Sequence, residues 1–151
     1  MPITIGLDTS FVIGLLDEKD VWSVPASQLY EEFLARNFNV IAFDCVLAEA
    51  IGTLSRRVHE KRRTVDLKAL LDRIKAKFPT KSIVWLYPTL PEQYENVIDL
   101  IEQSNGELNF NDALIALSCQ QRNIEYLASF DADFDQVKWL KRIQRPADLP
   151  E

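Results

Sequence analysis

The sequence has little of the chemistry on which zinc proteins, secreted proteins and membrane proteins depend. His59 is the only histidine in 151 residues, which argues against a zinc site. Cys45 and Cys119 lie among apolar residues in helical patterns and form no Cys-x-x-Cys pair, so we expect both to be reduced core residues. No apolar run approaches the roughly 20 residues that span a bilayer, and the N-terminus lacks the basic and apolar regions of a signal peptide. These absences predict a cytoplasmic protein without a membrane partner.

Charge is abundant but unevenly distributed along the chain. The formal net charge is −6, which by itself disfavours binding to nucleic acid. Residues 56–81 hold ten Lys or Arg against three acids, a net charge of +7, so the remaining chain carries −13. A polyanion would be repelled almost everywhere except at this segment. We therefore expect RNA-phosphate contacts at Arg56, Arg57, Lys61, Arg62 and Arg63. The alternative is a solvated face near a helix C-terminus, where cations are favoured.

Short apolar runs alternate with amphipathic stretches from one end of the chain to the other. The runs predict strands at residues 3–9, 40–43, 82–87, 124–130 and 137–143. The stretches between them predict helices, and Asp44 is the expected N-cap of a long helix that ends near Arg63. This alternation predicts an α/β fold, a three-layer sandwich with a central, mainly parallel sheet of about five strands. We expect one domain over residues 1–144 and a frayed tail over residues 145–151.

Four carboxylates stand at special places in this pattern. Asp8 ends the first strand, Asp131 ends the fourth, Asp112 opens an apolar helix, and Glu49 lies in the apolar half of its helix. Each has an ordinary explanation. Asp8 would be a helix cap and Asp112 a capping-box partner of Asn109, while Asp131 would be a turn residue and Glu49 an exposed helix residue. One hypothesis accounts for all four together. If the strand order reverses beside the first strand, strands one and four are neighbours, and the four acids reach one crevice.

Four carboxylates in one crevice repel one another unless a cation neutralises them. Mg²⁺ and Mn²⁺ prefer oxygen ligands of this kind, and such an ion is typical of phosphoryl-transfer and nuclease sites. The turn after the fourth strand offers three acids, so Asp133 or Asp135 could share or replace the metal-binding role of Asp131. The sequence therefore predicts a magnesium or manganese site with at least one open choice of ligand.

The motifs around these acids resemble the PIN domain family. They are Asp-Thr-Ser at the end of the first strand, Leu-Ala-Glu in the second strand–helix unit, Asn-Asp-Ala-Leu-Ile-Ala at a late helix, and Ser-Phe-Asp-Ala-Asp-Phe after the next strand. These motifs cover nearly the whole chain in the order typical of the family. As a compact single domain, the chain is similar to VapC-type toxin ribonucleases. The resemblance implies a PIN-like fold and a Mg²⁺- or Mn²⁺-dependent endoribonuclease with Asp8, Glu49, Asp112 and Asp131 as catalytic residues.

The same resemblance implies supporting residues and partners. Thr9 and Ser10 would support the site by hydrogen bonding, and Ser129 would supply a small hydroxyl two residues before the fourth acid. Asn111 departs from the pattern, because many members have a small or apolar residue there. RNA is the implied substrate, a small antitoxin protein is the implied partner, and a homodimer is the implied assembly. The candidate dimer contacts are Val21, Trp22 and Leu29.

Other functions fit the residues less well. A haloacid-dehalogenase-type phosphatase needs a second Asp where the chain has Ser10, and a receiver domain needs an Asp at the end of the third strand. A calcium-binding EF-hand loop from Asp131 fails at Gln136 and Arg142. A housekeeping RNA-processing nuclease and a catalytically silent PIN-like binding module remain alternatives. We expect Trp22, Trp85 and Trp139 to be core or interface residues rather than base-stacking platforms.

Overall fold

The computed structural model describes residues 1–151 and has a central sheet of five strands. They are β1 (Thr4–Leu7), β2 (Asn39–Phe43), β3 (Ile83–Val84), β4 (Tyr126–Ala128) and β5 (Lys141–Ile143). Their order is β3-β2-β1-β4-β5, and every neighbouring pair is parallel. Ile5 and Leu7 have no solvent exposure, as expected for a central strand that is covered on both faces. The predicted α/β sandwich is confirmed.

Six helices enclose this sheet. They are α1 (Thr9–Leu16), α2 (Ser23–Ala35), α3 (Asp44–Glu60), α4 (Thr64–Lys77), α5 (Leu90–Gln103) and α6 (Phe110–Gln121). Helix α1 packs against α2 and α3, α3 also contacts α4 and α6, and α5 packs against α6. None of the helices combines the length and the apolar character that crossing a bilayer requires.

The strand order reverses beside β1, as the sequence predicts. β1 pairs with β2 on one side and with β4 on the other, and Leu7 is aligned with both Ala42 and Ala128. The next residue, Asp8, donates its backbone N–H to the Ala128 carbonyl at 3.0 Å. Ligands of open α/β sheets bind at such a reversal, outside the carboxyl ends of the strands. The fold therefore places a crevice where β1 and β4 end.

The buried apolar side chains form a single cluster of 34 residues, and its membership corrects one expectation. Leu29 is 1% exposed and belongs to this cluster, so its assignment as a dimer contact is wrong. Trp22 and Trp85 are exposed rather than buried in the core. Trp139 is half-buried and donates its indole N–H to the Ala116 carbonyl at 2.7 Å.

Every strand except β2 is shorter than predicted, and β4 and β5 each keep three of seven residues. Two boundaries differ for clear local reasons. Helix α3 ends at Glu60 rather than near Arg63, because Arg62 adopts a left-handed conformation (φ 54°) and the Arg63 N–H returns to the Val58 carbonyl. This arrangement is a common helix termination. β3 contains only two of the six residues predicted for it, since the chain turns into a 3₁₀ segment at Tyr87–Thr89. At the C-terminus, Pro146–Asp148 forms one 3₁₀ turn, and Arg36 donates a hydrogen bond to the Pro150 carbonyl.

The expected N-cap role of Asp44 is also wrong. Asp44 is the first residue of α3, and its buried carboxylate accepts three backbone N–H groups. Oδ1 binds the N–H of Cys45 at 2.9 Å, while Oδ2 binds those of Leu86 and Tyr87 at 2.8 and 2.9 Å. Asp44 therefore ties the segment after β3 to the start of α3, which explains why β3 is short.

Candidate functional site

Asp8 lies at the bottom of the crevice and is held by two serine hydroxyls. It is 3% exposed and occupies the N-cap position of α1, but its side chain caps no helical N–H. Oδ2 accepts hydrogen bonds from Ser129 Oγ at 2.7 Å and from Ser10 Oγ at 2.9 Å, and no side chain donates to Oδ1. Burial raises the pKa of Asp8, the two serine hydrogen bonds oppose this shift, and the charge of Asp131 adds to it.

The two serines join the ends of β1 and β4. Ser129 Oγ donates to Asp8 and accepts the backbone N–H of Asp131 at 3.0 Å. Ser10 Oγ likewise donates to Asp8 and accepts the backbone N–H of Phe130 at 3.0 Å. Each hydroxyl thus fixes the same carboxylate oxygen and one N–H of the turn after β4. The expected supporting contacts are present for Ser10 and Ser129.

Thr9 behaves differently from the two serines. Its hydroxyl is buried and has no hydrogen-bond partner. The prediction that the Thr9 side chain supports the site by hydrogen bonding is therefore wrong. A buried hydroxyl without a partner loses its solvation free energy without compensation, which is unusual in a folded protein.

Asp112 stands in the first turn of α6 and faces the same crevice. Its backbone N–H donates to Asn109 Oδ1 at 2.8 Å, so Asn109 caps the helix, and the backbone N–H of Asn109 interacts with the Asp112 carboxylate in return and acts to lower its pKa. Burial, followed by the charges of Asp8, Asp131 and Glu49, raises the pKa of Asp112 to about 7. These interactions place the other three predicted carboxylates within electrostatic reach of Asp112.

Glu49 enters the crevice from α3 and is held by Asn111. The Asn111 amide Nδ2 donates to Glu49 Oε2 at 2.8 Å across 62 residues of sequence. Glu49 is half-buried rather than solvated, so the exposed-helix explanation does not describe it. The amide at position 111 therefore has a specific partner in this chain.

The three acids of the turn after β4 have different surroundings. Asp131 accepts the backbone N–H of Asp133 at 2.9 Å and interacts electrostatically with Asp8 and Asp112. Asp133 is exposed, and the charge of Asp131 is the main reason that its pKa is raised. Asp135 is engaged by both Nε and Nη2 of Arg142, at 2.8 and 3.0 Å, and this contact lowers its pKa. Asp135 is thus committed to a structural ion pair.

Sequence reasoning missed the contacts of two residues, Asp44, for which it predicted only an N-cap, and Arg142. Arg142 lies on β5, donates to the Ser129 carbonyl at 3.3 Å and to Gln144 Oε1 at 2.8 Å, and holds Asp135. Asp44 offered a usable signal, because it follows a buried strand just as Asp8 does. Arg142 offered none, since its partners are brought together only by the pairing of β4 with β5.

The donor set of the crevice fits a hard divalent cation. It consists of carboxylate oxygens from four separate elements, which is the ligand type that Mg²⁺ and Mn²⁺ prefer. As the side chains stand, no three His, Cys, Asp or Glu residues converge closely enough to enclose an ion. Ligation by three of these acids therefore requires side-chain rotation toward Asp8, whose Oδ1 receives no side-chain donor.

The basic residues predicted to bind RNA divide into two groups. Arg57 and Arg63 form ion pairs: Arg57 binds Asp20 at 2.7 Å, and Arg63 binds Asp17 and Asp66 at 3.1 and 3.0 Å. Arg56, Lys61 and Arg62 are exposed and form no ion pair. The side chains with free positive charge are therefore those at the end of α3 and in the following turn.

The comparisons with known proteins agree with this architecture. VapC20 of Mycobacterium tuberculosis, described as a toxin that cleaves the sarcin–ricin loop, superposes with a TM-score of 0.68 and 22% identity, covering 89% of this chain and 95% of that one. VapBC2 of Rickettsia felis, bound to a DNA fragment from its promoter, gives a TM-score of 0.67 and 18% identity, covering 93% and 98%. No curated protein sequence matches. The family model of the PIN domain matches residues 5–140, and the chain belongs to the PIN domain family.

Proposed function

We propose that this protein is a metal-dependent endoribonuclease that hydrolyses RNA phosphodiester bonds with Mg²⁺ or Mn²⁺. The observation that carries the proposal is the hydrogen-bonded connection between the ends of β1 and β4. Ser129 Oγ bridges Asp8 and the backbone of Asp131, and Asp112 and Glu49 face the same crevice from α6 and α3. A buried, oriented carboxylate and three nearby acids cost folding free energy, and apolar residues would stabilise the fold at least as well. Their clustering therefore supports a functional role.

Each residue of the crevice has a definite role in this proposal. When bound, a divalent cation supplies the positive charge that polarises the phosphodiester and activates a water molecule for in-line attack. Ser10 and Ser129 fix Oδ2 of Asp8 and leave Oδ1 directed to ligand binding. Asn111 orients Glu49, and Asp8 or Asp112 accepts the proton of the attacking water, since no histidine or lysine lies in the crevice.

We assign Asp131 as the fourth acid and Asp133 as an auxiliary ligand. Asp131 is fixed through its backbone to Ser129, whereas Asp133 is exposed and lies one 3₁₀ turn further on. Asp135 is excluded from this role by its two hydrogen bonds from Arg142.

The proposed RNA contacts are Arg56, Lys61 and Arg62. Their charges have no acidic partner, and they belong to the only strongly basic segment of an otherwise acidic chain. Arg57 and Arg63 are better described as structural, because acids already satisfy their guanidinium groups. Phosphate contacts of this kind position a nucleic acid and make its binding depend on salt.

A role as the toxin of a toxin–antitoxin pair, in the cytoplasm, is the biological context that we propose. Two structural neighbours are VapC and VapBC proteins, and the superpositions cover nearly the full length of both partners in each comparison. The proposal includes a small antitoxin partner and a homodimer. Growth arrest on expression, relieved by a small protein encoded beside it, would support the toxin role, and a harmless protein would favour RNA processing. Sedimentation at tens of micromolar protein tests the dimer.

The activity is tested with purified protein and labelled RNA in Mg²⁺, in Mn²⁺ and in chelator. Asp8→Asn, Glu49→Gln and Asp112→Asn are expected to lose about 100-fold or more in cleavage rate, because each removes a carboxylate that would hold the cation, and the cation's positive charge stabilises the transition state. Asp99→Asn, which alters an exposed carboxylate of α5 without an ion pair, is the matched control and should retain full activity. Cleavage that continues undiminished in chelator would overturn the metal-dependent mechanism.

A further inference from the structure

Four aromatic rings form a column that runs from the core to the surface beside the acidic crevice. Phe33 stacks on Phe11 with ring centroids 5.8 Å apart, Phe11 stacks on Phe130 at 5.8 Å, and Phe130 stacks on Trp22 at 4.5 Å. The last pair is nearly parallel, with an interplanar angle of 4°. Phe33 and Phe11 have no exposure, whereas Trp22 is 41% exposed. The column therefore ends in a solvent-facing indole.

The indole is rigidly attached to the crevice. Phe130 lies between Ser129 and Asp131 in the chain, and its backbone N–H donates to Ser10 Oγ, which donates to Asp8. One face of Trp22 is covered by Phe130, so its exposed area lies on the opposite face and edge. The backbone of Trp22 also packs closely on α1, because a Cβ atom at Gly14 would lie 3.0 Å from its carbonyl oxygen.

A second connection joins the indole to the basic segment. The backbone N–H of Trp22 donates to Asp20 Oδ2 at 3.0 Å, and Arg57 donates to Asp20 Oδ1 at 2.7 Å. Arg57 lies in the last turn of α3. Lys61 and Arg62, whose charges are free, follow directly after that turn. Trp22 is thus linked on one side, through Phe130, to the turn that carries Asp131, and on the other side, through Asp20, to Arg57, four residues before Lys61 on the chain.

We propose that Trp22, stacked on Phe130, is a binding platform for one unpaired nucleobase of a single-stranded RNA next to the bond that is cleaved. Aromatic side chains bind single-stranded nucleic acid by offering a flat π-face, and RNA is read mainly through such unstacked bases. Val21 and Val24 beside it are also exposed and would suit a protein partner. The links of Trp22 to both the acidic crevice and the basic segment favour RNA. This inference rests on the proposed function.

The test measures binding apart from cleavage. A short single-stranded RNA that carries 2-aminopurine at successive positions is titrated with the protein in chelator, so that no strand is cut. We expect the fluorescence of 2-aminopurine at one position to be quenched by stacking on the indole. Trp22→Ala should abolish this quench and weaken binding about tenfold, in the range known for loss of one base–aromatic stack.

Three further variants separate stacking from other effects. Trp22→Phe keeps a flat ring and should retain most of the affinity, whereas Trp22→Leu keeps only apolar volume and should behave like Trp22→Ala. Trp85→Ala removes a tryptophan of similar exposure that directly follows β3, and it should leave both the quench and the RNA affinity unchanged. Thermal melts establish that each variant is folded. Equal affinity of Trp22→Leu and wild type would overturn the stacking proposal.

The outcomes also separate this proposal from the proposed function. If the wild type cleaves RNA but Trp22→Ala binds and cleaves equally well, the platform is overturned and the nuclease stands. If the wild type cleaves no RNA but shows the Trp22-dependent quench, the platform stands and the nuclease falls. If Trp22→Ala leaves RNA binding intact but changes the sedimentation coefficient, Trp22 belongs to an interface between protein chains, and the platform is overturned.

Discussion

Ser129 joins the ends of two strands through one hydroxyl group. It donates to Asp8 Oδ2 at 2.7 Å and accepts the Asp131 N–H at 3.0 Å, and it is fully buried. A buried hydroxyl that uses both its proton and a lone pair is costly to remove, because two partners lose their hydrogen bonds together. The role of Ser129 is therefore structural as well as functional.

Ser129→Ala should lower the free energy of unfolding by about 2 kcal/mol, since Asp8 and the Asp131 N–H each lose a buried partner. It should also raise the pKa of Asp8 further, because the largest of the hydrogen-bond effects that oppose the burial shift is lost. Urea unfolding measures the first effect. Ser27→Ala, at a half-buried serine of α2 without a hydrogen bond, is the control. Equal stability of the two variants would show that the bridge makes no net contribution.

The acids after β4 should respond differently to neutralisation. Asp131→Asn should lose RNA cleavage and the rise in melting temperature that Mn²⁺ causes, because it removes a proposed ligand. Asp135→Asn should retain both and lose only about 0.5 kcal/mol of stability, because the Asp135 carboxylate is 57% exposed and water screens its charge. Thermal melts with chelator and with Mn²⁺ compare the two. If Asp133→Asn loses the metal response as Asp131→Asn does, both residues are ligands.

At the scale of elements, the junction of α3 and α4 separates two kinds of basic residue. Arg62 has a left-handed conformation (φ 54°) and an exposed side chain, whereas the side chain of Arg63 is 13% exposed and is bound by two acids. The corresponding positions after α2, α5 and α6 are Asn37, Asn105 and Asn123, which tolerate this conformation better than arginine. Arginine at position 62 is therefore a local disadvantage for folding.

Arg62→Asn should raise the free energy of unfolding by about 1 kcal/mol, because it relieves the strain of the left-handed position. The same change should weaken RNA binding and reduce its salt slope by about one unit, because a phosphate contact is lost. Arg63→Gln is the control with the opposite expected result. It should lower the free energy of unfolding by about 2 kcal/mol, because the buried carboxylate of Asp17 loses the cation of Arg63, and it should leave the salt slope of RNA binding unchanged. An unchanged slope for Arg62→Asn would remove it from the RNA-binding surface.

Elements were easier to predict from the sequence than the contacts between them. The apolar runs around Ile5 and Val40 identified strands because a central parallel strand is apolar on both faces. β3 was overestimated because Asp44, remote in sequence, binds the N–H groups of Leu86 and Tyr87. The acids at strand ends were predictable from position alone, whereas the Ser129 bridge and the Arg142 contacts depend on strand pairing that no local pattern records.

Across the whole molecule, the crowded carboxylates couple stability to pH. The pKa of Asp112 rises from an ordinary value of 3.8 to about 7 in the folded chain, first through burial and then through Asp8, Asp131 and Glu49. The folded state therefore binds more protons than the unfolded state between these values. The contribution of Asp112 to the free energy of unfolding of the metal-free protein therefore falls as pH rises through that window.

Asp112→Asn removes this penalty while keeping the shape of the side chain. The helix start is preserved, because Asn109 caps it through the backbone N–H of residue 112. In chelator, the variant and wild type should be similarly stable near pH 5, where Asp112 is protonated. Near pH 8 the variant should be more stable by about 1 kcal/mol, because wild type then carries the extra buried charge. Urea unfolding at the two pH values measures the difference.

Metal binding should reverse this order of stability. A cation that binds only the folded chain raises its melting temperature by mass action, so wild type should gain on addition of Mn²⁺ near pH 8. Asp112→Asn should gain little, because the variant lacks one of the charges that attract the ion. Asp99→Asn should gain as much as wild type, since its carboxylate is exposed on α5. If Asp112→Asn instead destabilises the metal-free protein and keeps the full gain, Asp112 supports the helix and binds no metal.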